Sequence, residues 1–202
     1  MKKILAFVCF ALLLGTVAGC GSSKKNVRNA PKVTVLERIP SKVPNWVRSA
    51  AEFNETKTHF TYRGISEGFT SIDAAQRAAQ ASAKTRIAEQ IKSTISAEFA
   101  SVMEAGRYSA NTGGYLRDIF LSSVERLEVS GIIIRATYSE RIAETSAQGE
   151  RIFYRSFALA ELSKENYQRL VDRAFSGARE QMKVNQSARE ALADAEKRFW
   201  GR

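Results

Sequence analysis

Histidine and thiol are almost missing from this chain. Its 202 residues include one histidine, His59, and two cysteines, Cys9 and Cys20. A single imidazole excludes a multi-histidine metal site, and no Ser-His-Asp or Cys-His set can be assembled around it. The carboxylates Glu67 and Asp73 are present, but no motif places them as an acid–base pair. Glycine is sparse too, and the pair Gly113-Gly114 has neither the Walker spacing nor a following Lys-Ser/Thr, so it is not read as a phosphate loop. The apolar run Ile4 to Leu14 is shorter than the ~20 residues a membrane-spanning helix needs. With no catalytic set, no metal ligands and no cofactor fingerprint, the chain is expected not to be an enzyme and to carry neither cofactor nor metal.

The N-terminus is where the sequence speaks most clearly. Lys2 and Lys3 precede the apolar run, and Gly15-Thr16-Val17-Ala18-Gly19-Cys20 follows it. A charged start, a short apolar core and small residues before a cut site form a secretory signal peptide, expected over residues 1–19. Val17-Ala18-Gly19-Cys20 resembles the lipobox of bacterial lipoproteins, and that resemblance makes Cys20 the acylated first residue of the mature chain. Cys9 then leaves with the leader and Cys20 is capped, so no free thiol remains for redox or metal chemistry. Each buried methylene contributes ~0.8 kcal/mol and one acyl chain binds only marginally, so the two or three palmitate-type chains of such a lipoprotein anchor it stably. Gly21 and Ser22 follow the cysteine with no Asp behind it. By analogy with bacterial sorting, this places the protein at the outer membrane, facing the periplasm.

Positive charge outweighs negative, with 31 Lys and Arg against 21 Asp and Glu and a formal net charge of +10. Its distribution matters more than its size. Residues 20–44 are expected to form a basic tether, in which Lys24, Lys25, Arg28, Lys32, Arg38 and Lys42 face only Glu37. The tether and the leader together hold most of the excess, and residues 45–202 retain only +3. A nucleic-acid-binding domain would instead concentrate its basic residues on the folded face. The tether charge, at Lys24, Lys25 and Arg28 above all, suits anionic head groups or the acidic cell-wall polymer, or simply solvates a linker. If flexible, about 24 residues reach ~28 Å on average and ~80 Å when stretched. Val33, Val35 and Leu36 are apolar enough to add a short strand.

The folded part is expected to be α+β, in the order β-α-(α)-β-β-α, with a long alanine-rich helix packed on a small antiparallel sheet. Trp46 is read as packing over the edge of the core. Phe60 and Tyr62 alternate with His59, Thr61 and Arg63, a period of two that marks a half-buried strand and puts His59 on the face away from the aromatics. Thr70 to Asp73 has the pattern of a capping box. A helix is expected from about Ile72 to Ala105, with ten alanines and an apolar residue every fourth position from Ala75 to Phe99. Residues 106–114 read as a loop and Tyr115 to Leu127 as a shorter helix. Ile132, Ile134, Ala136, Tyr138 and Ile142 are assigned to one face of a strand. After a turn at Ala147-Gln148-Gly149, Phe153, Phe157 and Leu159 share a face of its hairpin partner. Arg135, Arg141, Arg151 and Arg155 lie along this hairpin, with Glu140, Glu144 and Glu150 placed to neutralise them. A helical extension over 163–202 closes the chain, its second half being either part of the core, a separate partner-binding helix or a solvated tail.

Several segments together resemble the LPP-twenty lipoprotein family. They are the lipobox Cys20, Pro44-Asn45-Trp46, Tyr62-Arg63-Gly64-Ile65-Ser66, Asp73 to Ala79 and Ala83 to Ile91. The match covers residues 44–162, so the family-like domain is set at 45–162. The loop and helix from Arg107 to Leu127 and the helix after Leu162 are longer than the family pattern. The resemblance implies a non-enzymatic outer-membrane lipoprotein serving as a structural or assembly module of the envelope, self-associating as flagellum-associated relatives do. The alternative it leaves open is a periplasmic adapter or activator of a peptidoglycan synthase.

Overall fold

The computed structural model describes residues 31–106, 108–182 and 185–201. The expected signal peptide, Cys20 and Lys24, Lys25 and Arg28 of the expected tether lie outside these. From Pro31 onward the chain forms one unit. Its elements are β1 (Lys32–Ile39), α1 (Asn45–Arg48), β2 (Phe53–Glu55), β3 (His59–Phe69), α2 (Ile72–Ala105), α3 (Ala110–Glu125), β4 (Ile133–Ser146), β5 (Gly149–Ser163), α4 (Lys164–Gln181) and α5 (Gln186–Trp200). The five strands form one antiparallel sheet in the order β1-β4-β5-β3-β2. The fold class is therefore α+β, with the long helix packed on the sheet.

How α2 meets the sheet is set by small residues. Gly64 on β3 lies so close to α2 that a β-carbon there would fall 2.3 Å from the Ala83 nitrogen and 2.4 Å from the Ala79 oxygen. Opposite it on β5 stands Ala158, with Ala160 opposite Tyr62, and both alanines are fully buried. The buried face of β5 is thus Ser156, Ala158, Ala160 and Leu162. The expected pairing of Phe157 and Leu159 on one face holds, but that face turns away from α2. A register shift between Ile134 and Ala136 also breaks the expected alternation on β4. It sends Ile134 to the helix side with Ala160, and Ala136, Tyr138 and Ile142 to the other side with Leu159, Phe157 and Phe153.

Beyond the sheet, α2 continues into a helical core. Phe99 of α2, Phe120 of α3, Phe175 of α4 and Phe199 of α5 meet there. Phe99 and Phe120 stack at 3.8 Å, and Phe175 lies 4.8 Å from Phe120 and 5.6 Å from Phe199. Helix α5 buries Ala188, Leu192, Ala195 and Phe199 in the core that also contains Phe60 and α2. A domain ending at 162 with a separate extension is therefore corrected: residues 163–200 complete the core, as two helices broken where the apolar stripe thins.

Local signals explain most helix starts. Ser109, Ser163 and Asn185 each accept a hydrogen bond from the backbone N–H three residues on. The Ser109 cap, with Leu116, Phe120 and Val124 buried every fourth residue, outweighs the cost of about 1 kcal/mol for each of Gly113 and Gly114. The expected loop over 106–114 is helical from Ala110 for that reason. Helix α2 starts where expected, yet Ser71 makes no side-chain cap. Asp73 in its first turn favours the positive end of the helix dipole, and Ser66 donates to the Ala75 carbonyl at 2.6 Å.

Residues 32–39, expected within the tether, are the clearest departure. They form edge strand β1, paired with β4 from Lys32 opposite Thr145 to Ile39 opposite Ser139. The physical reason lies in β4, whose outer edge would otherwise leave a row of unpaired backbone groups. Val33, Val35, Leu36 and Ile39 give the segment strand propensity despite its charges.

Buried phenols predict the behaviour of the fold in alkali. Tyr108 is pushed up to about 12, first by burial and then by its hydrogen bond to Asp194. Tyr167 is raised further, by burial and by donating to Glu98. Tyr62 and Tyr138 are raised for the same two kinds of reason, against Glu52 and Glu140. A group whose folded pKa is raised contributes stability that is intact below its unfolded value and lost as pH climbs through the folded one. Stability is expected to hold to about pH 10 and to fall between there and about 12 for Tyr108. Phenolate absorbance and circular dichroism followed together should change in one cooperative step.

Candidate functional surfaces

The sheet has two faces with different tenants. Helix α2 covers one. The chain from Pro40 to Glu52 must cross the other, because β1 and β2 stand at opposite edges. Arg63 projects to that second face, opposite to Gly64, and holds the crossing segment. Its guanidinium donates to the carbonyls of Val47 at 2.7 Å, Trp46 at 3.4 Å and Ser49, while its Nε is buried without a partner. Trp46 is half-buried at this crossing. Sequence reasoning placed Trp46 at a core edge but missed Arg63, whose only signal was a charged residue inside an aromatic strand.

On the same face runs a row of charge across four strands. Glu67, Arg155, Glu140 and Arg38 are direct cross-strand neighbours. Arg155 lies 2.9 Å from Glu67 and 3.8 Å from Glu140, and Arg38 lies 3.8 Å from Glu140. The hydrogen bond to Glu67 is the first cause holding the Arg155 guanidinium above its usual value. Arg151 pairs with Glu144 at 2.7 Å, and Arg135 with Glu161 at 3.4 Å. Of the hairpin arginines, only Arg141 has no ion-pair partner among the described residues. The hairpin is thus a charge-balanced ladder rather than a basic face.

The candidate titratable residues are dispersed. His59 Nε2 is 3.2 Å from Glu161, and its Nδ1 meets the hydroxyl of Thr58, its neighbour in the chain, at 2.9 Å in an exposed position at the start of β3. Glu67 is committed to Arg155, and Asp73 sits in the first turn of α2. No group of three His, Cys, Asp or Glu is clustered for a metal among the described residues. A wide-open groove of about 560 Å³ lies between α2 and the segment 127–132. Lys84, Glu89 and Lys92 face Leu127, Val129 and Ile132 across it. Lys92 is already engaged with the Glu125 carbonyl at 2.7 Å.

What stands out instead is the β1 edge. Of the large apolar side chains left exposed, Val33, Leu36 and Ile39 are on β1, and Ile152 lies across β4 from Thr34. The opposite edge, β2, is three residues long. No family model matches this chain, and no curated protein or solved structure matches it either.

Proposed function

We propose that this protein is a non-enzymatic lipoprotein of the LPP-twenty type, held in the bacterial outer membrane by acyl chains on Cys20 and serving as an assembly module of the cell envelope. The observation that carries the reading is a lipobox-like Val17-Ala18-Gly19-Cys20 behind a charged, apolar leader. It stands only eleven residues, Gly21 to Pro31, ahead of the first strand. No helix among the described residues is long and apolar enough to cross a membrane, so on this reading attachment rests on the lipid.

The position of β1 changes what such an anchor permits. With Lys32 already in the sheet, eleven residues span at most ~40 Å and average ~18 Å if flexible. That is about half the reach of a tether running to Pro44. It favours partners beside the membrane, including neighbouring copies, over the adapter reading that needs a long reach. Lys24, Lys25 and Arg28 within this span would lie next to anionic head groups or cell-wall polymer.

Mass spectrometry of the protein from membranes is expected to show Cys20 as an acylated N-terminal residue. Cys20→Ala is expected to remove the chain from the mature membrane-bound pool. An unmodified Cys20, or unchanged membrane retention in the variant, would refute the anchor.

A further inference from the structure

We propose that β1 is a self-complementary edge through which a second copy of this chain adds to the sheet, antiparallel and about a two-fold axis. The inference rests on the assembly reading above and identifies its interface. Backbone groups on the outer side of β1 have no strand beside them among the described residues, since β1 is the end of the sheet. Its Val33 and Leu36 are about half exposed, at 51% and 49%.

The register selects the pairing. The shift between Val35 and Glu37 reverses the alternation of β1. Val33, Val35 and Arg38 therefore follow Glu144, Ile142 and Glu140 on the face away from α2. Lys32, Thr34, Glu37 and Ile39 follow Thr145, Ala143, Arg141 and Ser139 on the helix face. A two-fold axis between Val35 and Leu36 places Val35 against Leu36 of the second copy. The same axis sets Thr34 against Glu37, Val33 against Arg38 and Lys32 against Ile39. Each of the last three pairs shares a face, as antiparallel neighbours must, and none opposes like charges. Glu37 then lies diagonal to Lys32 of the other copy. Centring the axis on Val35 instead would set Lys32 of the helix face against Arg38 of the other face, which antiparallel neighbours cannot satisfy. Because the two-fold uses the same edge on both copies, β1 is fully occupied in the pair and the association closes as an isologous dimer.

The test is oxidative crosslinking of the full chain in intact envelopes. Thr34→Cys/Glu37→Cys should give a disulfide-linked dimer, since these positions face each other between copies. Within one chain they are three residues apart along a strand, beyond the ~7 Å limit for a disulfide. The unsubstituted chain controls for Cys9 and Cys20, and Asn54→Cys at the β2 edge should stay monomeric. In detergent, sedimentation of the acylated chain should show a dimer that Leu36→Lys weakens at least about tenfold. Absence of the β1 crosslink, or a dimer that Leu36→Lys leaves intact, overturns the proposal. Membrane fractionation of the same samples separates the two readings. A membrane-bound chain without the crosslink sinks the interface alone, whereas an unanchored chain sinks the anchor whatever β1 does.

Discussion

Gly64→Ala is expected to destabilise the protein by about 3 kcal/mol or more, the upper range for overpacking. The added carbon would meet the Ala83 nitrogen at 2.3 Å, the Ala79 oxygen at 2.4 Å and the Ala83 α-carbon at 2.7 Å. All three are helix backbone, so no side chain can rotate aside. Relief requires α2 to lift from β3, which would open the contacts of Ala75, Ala79 and Ala83, all fully buried. For a chain of this size each kcal/mol moves the melting temperature by roughly 2–4 °C, so a fall of about 6–12 °C is expected by circular dichroism. Gly68→Ala is the informative contrast. Its φ of +90° makes it strained, but nothing lies within 4 Å, so backbone strain of about 1–2 kcal/mol is the only cost. Equal losses at the two sites would refute the close approach of helix and sheet.

Phe175→Ala should be comparably severe, at about 3–5 kcal/mol. The ring is fully buried and touches one aromatic from each of three other helices, Phe99, Phe120 and Phe199. Its removal leaves a void bounded by α2, α3 and α5, which the ends of three helices cannot close without moving. A drop of roughly 6–20 °C in melting temperature is expected, with Phe175→Leu losing markedly less because it keeps most of the volume. The variant also tests whether residues 163–200 belong to the core. If they were an appended extension, the sheet and α2 would melt unchanged.

Several elements were legible in the sequence because one local pattern decided each. The long helix was legible from its alanines and its fourfold apolar spacing, and its limits agree with Ile72–Ala105. The hairpin was legible from two alternating runs around a short turn. Helix α5 showed as an amphipathic stripe, but a stripe does not say what covers it. The faces of β4 were misassigned because a register shift at Arg135 moves the alternation by one residue and leaves no mark in composition. Strand β1 was read mainly as linker because its eight residues include Lys32, Glu37 and Arg38, and only Val35 is even half-buried.

By itself the sequence determined the α+β class, the charge partition and the lack of a recognisable catalytic motif. These depend on residue types and near-neighbour spacing. Tertiary structure alone decided where each pattern points. In α2 the buried residues recur every fourth position from Ala75 to Phe99. Four residues exceed one 3.6-residue turn by about 40°, so six such steps swing the buried stripe by about 240° around the axis. No single surface can receive a stripe that turns so far. Its alanine end therefore packs on β3 and β5, its phenylalanine end among α3, α4 and α5, and the C-terminal helices become core because the second end of α2 needs them.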